Sequence, residues 1–460
     1  MNIFIIFLIS CEKEEITTDL DVRLTFSSDT ILFDTVFTTI GSTTKQLKVY
    51  NPYNQKVRIS SVYLAIGDDS NFRLNINGFT NNNVTDIEIP AKDSIYIFIE
   101  VTIDPMGVNS PMVVEDSIIF ITNGSEQDVD LLAWGQDMHL INGEIISSQT
   151  WTNDKPYLIY NSMLVDTGHL LTIEEGTEIY FHRNSSMLVC GTLIVNGTID
   201  NPVVFQGDRL EEIYDDVPGQ WGTIAFLDGS TGNNLSFAII KNGIAGFQVG
   251  EHDKSTSPSL NLSCCTIENM TFAGIYSFGS TISASNTIIA DCGSMALALL
   301  KGGDYEFIHC TISNNWNYSI RITPSVVLSN YFEYDGNLYV RDLTRADFGN
   351  CIIYGNQKSE IGFASDTDLA SFNFLFDHCL IKLDSDTTDI SDEFLFRSII
   401  LNQDPKFVSI ENHDYQLDTL SFAKDKGALE IANRFPFDLN LNSRIIDIAP
   451  DLGAYERIKK

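Results

Sequence analysis

The chain has 460 residues, of which 43% are hydrophobic and 20% are charged, so it can bury a large core, in one domain only if the fold is a repeat. Its 62 acidic and 28 basic residues give a formal net charge of −34 at pH 7. Such a surface repels phosphate backbones, which excludes nucleic acid as an expected partner, while the many carboxylates leave calcium binding open.

Residues 1–11 have the pattern of a signal peptide. The apolar run from Met1 to Ser10 is too short to span a bilayer, and it ends in Leu8-Ile9-Ser10-Cys11. This ending resembles the lipobox of bacterial lipoproteins, which implies lipidation of Cys11 and an anchor in the outer membrane. The basic residues that usually precede such a run are missing, and a buried strand with an incidental cysteine is the alternative interpretation.

Residues 12–20 are predicted to be an acidic tether. The segment Glu12-Lys13-Glu14-Glu15 directly follows the cysteine and resembles the surface-export signal of Bacteroidota lipoproteins. The resemblance implies that the anchored protein faces the cell exterior. The alternative is a charged, disordered tether without an export role.

Residues 21–138 are predicted to form a β-sandwich. Short runs rich in β-branched and aromatic residues alternate here with Asn-Pro, Asn-Gly and Asp-Pro turn signals. The strand end Val49-Tyr50-Asn51-Pro52, the run Phe72-Arg73-Leu74 and the late strand from Ile99 to Pro105 resemble an immunoglobulin-like domain of the abnormal-spindle/hydin type. We expect a spacer that lifts the next domain off the membrane, with partner binding as the alternative role.

Residues 139–457 contain a repeated five-residue motif, seen most clearly as Cys265-Thr-Ile-Glu-Asn269 and Cys310-Thr-Ile-Ser-Asn314. Copies recur at roughly 20–30 residues, the period range of a solenoid. Alternation at period two puts the first and third residue of each copy inside a coil, and the fifth at a turn. The predicted columns are Ala238/Cys265/Thr287/Cys310/Cys351/Cys379, Ile240/Ile267/Ile289/Ile312/Ile353/Ile381 and Asn242/Asn269/Asp291/Asn314.

These columns resemble those of the right-handed parallel β-helix, the pectin-lyase-like superfamily. The resulting fold class is all-β, with an N-terminal immunoglobulin-like sandwich and a C-terminal right-handed parallel β-helix. The alternative is an antiparallel sandwich with chance similarity. The segment from Asp404 to Glu456 resembles the end of many bacterial β-helix surface proteins, and it predicts a C-terminal cap over the last open coil.

Neither the cysteines nor the histidines predict a metal site. Cysteines in one column are expected to be buried thiols, and the scattered histidines lack the spacing of a metal box. His309 and His378 each precede a column cysteine, so we expect both side chains to point outward. The acidic stretch from Asp208 to Gly219 is interpreted as a solvated loop, because it lacks the pattern of a calcium loop.

Lyases with this fold hold calcium with carboxylates and use an arginine or lysine as the base. Here the basic candidates are Lys241, Lys301, Arg321 and Arg341, and the acidic ones are Asp291, Asp304 and Asp342. No motif groups them, so the sequence assigns no catalytic residue and no cofactor.

The favoured hypothesis is a non-catalytic surface lipoprotein that binds or displays, in contact with glycans. Residues 316–345 break the repeat and concentrate aromatic and arginine side chains, which could stack on sugars and meet acidic groups. The candidate glycan-binding residues are Trp316, Tyr318, Arg321, Tyr331 and Tyr334. The alternative for these aromatics is packing of a loop on the coil. The alternative function is a polysaccharide lyase or glycoside hydrolase with an unfamiliar site, and we expect a monomer in either case.

Overall fold

The computed structural model describes residues 15–107, 112–386, 388–446 and 448–458. Cys11 and most of the predicted signal and tether therefore lie outside the described residues. The chain divides into two compact units, with the boundary between Met138 and His139. Within the described ranges, we find no helix of the length and hydrophobicity that crossing a membrane requires.

The first unit is a sandwich of two mainly antiparallel sheets, as the sequence predicts. One sheet contains, in spatial order, Thr25–Phe26, Lys45–Tyr50, Ser94–Val101, Phe72–Ile76 and Phe79–Thr80. The other contains Thr30–Phe37, Ser125–Gln136, Met112–Thr122, Val57–Leu64 and Asn83–Ile89. Strict alternation of buried and exposed residues along Ser94–Val101 shows why these segments pair as strands with one face inward. Side chains from both sheets form a single apolar core.

The second unit is a parallel β-helix, which confirms the predicted fold class. Each full coil contributes one strand to each of three parallel sheets, here called the first, second and third coil sheets. The first contains His139–Asn142, Tyr157–Tyr160, Glu178–Phe181, Val203–Gly207, Ala238–Lys241, Thr266–Met270, Ile288–Cys292, Thr311–Asn314, Ile352–Gly355, Leu380–Ile381 and Ile400–Leu401.

The second coil sheet contains Ile145–Ile146, Met163–Val165, Met187–Val189, Ile224–Phe226, Ala245–Val249, Ala273–Phe278, Met295–Leu300, Val326–Ser329 and Ile361–Ala364. The third contains Gln149–Trp151, Leu170–Glu174, Thr192–Asn196, Asn233–Ser236, Ser259–Ser263, Thr281–Ser285, Gly303–Ile308, Leu343–Gly349, Leu375–Asp377 and Phe396–Arg397. The segment 316–345, predicted as a break in the repeat, therefore contains one regular strand of the second coil sheet, Val326–Ser329. Tyr331–Tyr334 and Asn337–Val340 form an antiparallel hairpin that leaves the coil.

The predicted isoleucine column is confirmed. Ile240, Ile267, Ile289, Ile312, Ile353 and Ile381 pair in register along the first coil sheet, and all are fully buried. The column thiols are also buried. In the third coil sheet, Phe307, Phe348, Phe376 and Phe396 stack with ring centroids 4.7–5.6 Å apart. Like residues stacked in this way line the interior of the coil as one continuous apolar core.

The predicted turn column is confirmed for its first three members, whereas Asn314 ends the strand Thr311–Asn314 without a positive φ. Asn242, Asn269 and Asp291 all have positive φ angles, between 49° and 65°, a backbone region that asparagine and aspartate tolerate better than other side chains. Asn269 Nδ2 donates to Asn242 Oδ1 at 2.7 Å, so adjacent coils are joined by their turn amides.

The prediction of a terminal cap needs correction. Residues 403–458, here called the strap, lie along the outer face of the first coil sheet. They bury the outward side chains of Ile288, Ala290, Ile352 and Leu380 in two small apolar clusters. The strap contains a strand pair, Phe407–Ser409 with Asp414–Leu417, and a short helix, Leu429–Ala432. Apolar residues on the outside of a coil are stable here because the chain returns to cover them.

The strap covers His309, which the sequence predicts to point outward from the coil. Its side chain does point away from the coil interior, but it is fully buried rather than exposed to solvent. Asn350 Nδ2 lies 3.1 Å from His309 Nε2, and the same Asn350 amide exchanges two hydrogen bonds with the backbone of Ala428 in the strap. Burial, together with the nearby Arg444 guanidinium, holds the pKa of His309 well below its usual value.

Candidate functional site

The candidate glycan-binding residues separate into three environments. Trp316 and Tyr318 lie in the loop that follows Thr311–Asn314, and Tyr331 and Tyr334 lie on the hairpin. The hypothesis of one aromatic site over this segment is therefore replaced by two separate surfaces and one buried ion pair.

Arg321 forms the buried ion pair, so its assignment to a glycan site is wrong. Its Nη2 lies 2.7 Å from Glu360 Oε1, and both side chains have zero exposure. The guanidinium also donates to the carbonyl oxygens of Asn314 and Thr323. A buried arginine of this kind holds the loop onto the coil and cannot reach a ligand.

Lys301 and Arg341, two of the basic candidates for catalysis, hold a neighbouring loop. Lys301 is 6% exposed, and its Nζ donates to the carbonyl oxygens of His252 at 2.7 Å and Lys254 at 2.5 Å. Arg341 donates to the carbonyl oxygen of Gly279 and to Ser257 Oγ. Both cations therefore have protein acceptors and fix the path of residues 251–258.

His252 in this loop is the centre of an aromatic surface on the second coil sheet. Its ring lies 4.7–6.0 Å from four others: Phe278, Phe332, Tyr334 and Tyr339. Further contacts connect Phe278 to Tyr276 and Tyr276 to Phe272, at 5.9 and 5.5 Å. We call these seven side chains the aromatic strip: His252, Phe272, Tyr276, Phe278, Phe332, Tyr334 and Tyr339.

The strand alternation explains why the strip faces outward. Ile275 and Ser277 of Ala273–Phe278 are fully buried on the inner side, so Tyr276 and Phe278 are on the outer side. Burial under the hairpin nearly covers Phe278, whereas Phe272 is 40% and Tyr334 is 56% exposed. The strip thus has a packed middle and open rings at its ends. Tyr276 donates its hydroxyl hydrogen to Gln248 Oε1 at 2.6 Å, which fixes that ring.

The second surface is a cleft of about 390 Å³ between the coil and the strap, here called the strap cleft. Its lining includes Asp291 and Trp316 from the coil side and Glu411 and His413 from the strap. Tyr318 lies at the cleft and is 56% exposed, while Trp316, 5.1 Å from it between ring centroids, is nearly buried. The Tyr318 hydroxyl donates to the carbonyl oxygen of Asp216. This hydrogen bond and the contact with Trp316 fix the position of the Tyr318 ring.

Charges in the strap cleft are closely paired. His413 Nδ1 lies 3.3 Å from Glu268 Oε2 and 3.5 Å from Asp291 Oδ2, and contact with Glu268 raises the pKa of His413. Asp291 accepts hydrogen bonds from the Tyr415 hydroxyl at 2.5 Å and from the backbone N–H of Asn315 at 2.9 Å. Burial nevertheless raises the pKa of Asp291, because it disfavours the charged form.

The described part of the chain contains no preformed metal site. Nowhere in it do three His, Cys, Asp or Glu side chains lie close enough together to hold one metal ion. In the acidic stretch 208–219, Asp208 pairs with His182 at 2.6 Å. Arg209 pairs with Glu211 in the same stretch. Calcium binding, which the sequence leaves open, gains no candidate ligands from these pairs.

The sequence analysis missed most of the strip. His252, Phe272, Tyr276 and Phe278 are separated from the hairpin by dozens of residues, and parallel coiling brings them together. One signal was available: Tyr276 and Phe278 alternate with Ile275 and Ser277, so large aromatic residues occupy the outer positions of a coil strand.

Comparison with known proteins supports the fold. Residues 222–382 match the family model of the right-handed beta helix region. A search of curated proteins gave no match.

Two solved structures align weakly. One is a family 123 glycoside hydrolase from Clostridium perfringens, studied for glycolipid glycan hydrolysis, with 10% identity and a TM-score of 0.19 over 28% of this chain and 30% of that one. The other is the periplasmic chaperone SfaE, with 14% identity and a TM-score of 0.18 over 28% of this chain and 66% of that one. The alignments thus span less than two thirds of either protein.

Proposed function

We propose that this protein is a lipid-anchored, cell-surface lipoprotein that binds glycans through the aromatic strip of its β-helix. The observation that carries the proposal is the continuous series of ring contacts from Phe272 to Tyr334 on the outside of the coil. Sugar rings present flat faces of C–H bonds that pack on aromatic rings, and exposed aromatic patches commonly mark binding sites.

The geometry of the strip suits an extended chain. Phe272, Tyr276 and Phe278 follow one another on a single coil, with ring centroids 5.5 and 5.9 Å apart, and the hairpin rings continue the series. Gln248 and Tyr276 add polar groups beside the open rings, and such groups can meet sugar hydroxyls. We therefore expect an oligosaccharide rather than a single sugar to fill the surface.

The anchor and the first unit belong to the same proposal. Cys11 would carry the lipid, the tether would direct the protein to the cell exterior, and an immunoglobulin-like sandwich would act as a spacer. Incorporation of labelled palmitate into the protein, compared with a Cys11→Ser variant, tests the anchor. Protease accessibility of the β-helix on intact cells tests the outward orientation.

Binding is tested by replacing the open rings. Tyr334→Ala and Phe272→Ala should each weaken the affinity for a bound oligosaccharide by about fivefold to tenfold, because each removes a stacking contact of about 1–1.5 kcal/mol. Phe394→Ala is the control, since Phe394 is 85% exposed and lies outside the strip. A glycan array selects the oligosaccharide and calorimetry measures the affinity. Equal affinities in all variants would remove the strip from the proposal.

A second candidate function, glycoside hydrolysis, is favoured by Asp291 in the strap cleft. A carboxyl group whose pKa is raised can remain protonated and act as a general acid. Both oxygen atoms of Asp291 already accept protein hydrogen bonds, however, and Glu268 is paired with His413. Release of reducing ends by the wild-type protein, lost in Asp291→Asn, would favour this second function over binding alone.

A further inference from the structure

The basic residues near the aromatic strip are turned toward the protein. Lys301 donates to loop carbonyl oxygens and is almost fully buried, and Arg341 donates to Gly279 and to residues 255–257. Arg321, the third cation expected to meet an acidic ligand, is buried against Glu360. These hydrogen bonds use the donor groups of Lys301 and Arg341 within the protein, although the two side chains still contribute a charge of +2 near the strip, whereas the charge of Arg321 is balanced by Glu360.

The exposed charges beside the strip have the opposite sign. The loop 251–258 carries Glu251, Asp253 and Lys254, and the hairpin 331–340 carries Glu333 and Asp335, so the two segments together have a formal charge of −3. All of these side chains except Glu251 are exposed. Glu333 and Asp335 are both exposed and directly flank Tyr334 in sequence, and strand alternation places the Glu333 carboxylate on the hairpin face opposite Phe332 and Tyr334, across the thickness of one strand. The net charge of the whole chain, which includes these residues, is −34, and it repels anions at longer range.

From this arrangement, and resting on the proposed glycan binding, we infer that the aromatic strip accepts uncharged glycans and rejects uronate or sulfated ones. Stacking on rings needs no charge, whereas a carboxylate-bearing sugar would meet carboxylates and no available guanidinium. Discrimination of this kind arises from repulsion of the wrong ligand as much as from attraction of the right one.

The sharpest test compares one glycan skeleton in two charge states. Oligogalacturonate and its fully methyl-esterified form have the same length and linkage, and only the former is charged at pH 7. Calorimetry at low ionic strength, in EDTA so that no divalent cation bridges carboxylates, should show at least tenfold tighter binding of the ester. Added salt should narrow this difference, since it screens exposed charges over about 10 Å at 0.1 M.

A variant locates the source of the discrimination. Glu333→Gln combined with Asp335→Asn removes two charges beside the strip, and asparagine tolerates the positive φ of residue 335. It should reduce the preference for the ester severalfold without weakening ester binding. Asp68→Asn combined with Asp69→Asn is the matched control, because it also removes two negative charges, from the first unit, and should leave the preference unchanged.

The outcomes separate the two proposals. Oligogalacturonate binding as tight as the ester, or tighter, would overturn the inference of an uncharged ligand while glycan binding stands. If neither form binds, and an array of neutral glycans also gives no binding, the proposed function itself fails and the inference falls with it.

Discussion

The outer faces of the first and second coil sheets both carry apolar side chains, where a solenoid usually presents polar ones. The two faces differ in which part of the chain covers these side chains. On the first, the strap buries Ile288, Ile352 and Leu380 completely or nearly so. On the second, the hairpin covers Phe278, and Phe272 and Tyr334 stay open. An apolar exterior therefore indicates a binding surface only where the chain does not return to cover it.

The largest loss of stability is expected when the buried arginine that holds the strap is removed. Arg444 is fully buried, donates to Asn286 Oδ1 and to the carbonyl oxygens of Gly453 and Ala454, and lies 3.6 Å from Glu456. Arg444→Ala should lower the free energy of unfolding by about 3–5 kcal/mol, since it removes a buried cation from beside the Glu456 carboxylate and from three oxygen acceptors.

Urea unfolding followed by tryptophan fluorescence measures this change, because three of the four tryptophans, Trp151, Trp221 and Trp316, lie in the β-helix unit. Arg434→Ala is the matched control, as the exposed ion pair of Arg434 with Glu306 should contribute about 1 kcal/mol or less. Equal losses in the two variants would contradict a strap held by its buried arginine.

Truncating one apolar side chain on each face sharpens the comparison. Leu417→Ala, in the strap where it packs on the first coil sheet, should lower the free energy of unfolding by about 2–4 kcal/mol, because it opens a cavity in a buried apolar cluster. Phe272→Ala, on the open face, should change it by about 1 kcal/mol or less. The same fluorescence measurement serves both. A large loss for Phe272→Ala would mean that this ring belongs to the core rather than to a binding surface.

The smallest effect is a pH dependence of the strap contacts. Contact with Glu268 raises the pKa of His413 above 6.5, so its contribution to stability is fully present below pH 6.5 and is lost as pH rises through the folded-state pKa. Asp216, Glu268, Asp291 and Glu411 are the carboxylates near it.

His413→Asn keeps a residue suited to the positive φ at this position and should flatten the thermal stability profile above pH 6.5. The melting temperature, measured by differential scanning calorimetry from pH 5 to 9, checks it. An unchanged slope in the variant would contradict a charged contact between His413 and the coil.

The coil could be predicted from the sequence because its determinants are local and repeated. Ile267 lies two residues after Cys265 and two before Asn269, and the same spacing recurs at Cys310, so one short pattern defines an inner column and a turn. The strap could not be predicted in this way. Tyr415 meets Asp291 across 124 residues, and Arg444 meets Asn286 across 158, with no periodicity to connect them.

The candidate site was predictable only in part, for a related reason. Composition alone marks residues 316–345 as aromatic, but it cannot tell a ring that packs, such as Trp316, from one that is open, such as Tyr334. Arg321 appeared free for a ligand because Glu360, its partner, lies 39 residues later on the next coil. Contacts between coils decide which side chains remain available.

The sulfur column has a consequence for how the protein is handled. Cys265, Cys310, Cys351 and Cys379 are reduced and fully enclosed, and burial raises the pKa of the first to about 12. A thiol held in its neutral form and away from solvent reacts slowly with oxidants and alkylating reagents. The rate at which a maleimide dye labels each of these cysteines therefore measures how often the coil that contains it opens. The wild-type chain already carries these reporter thiols.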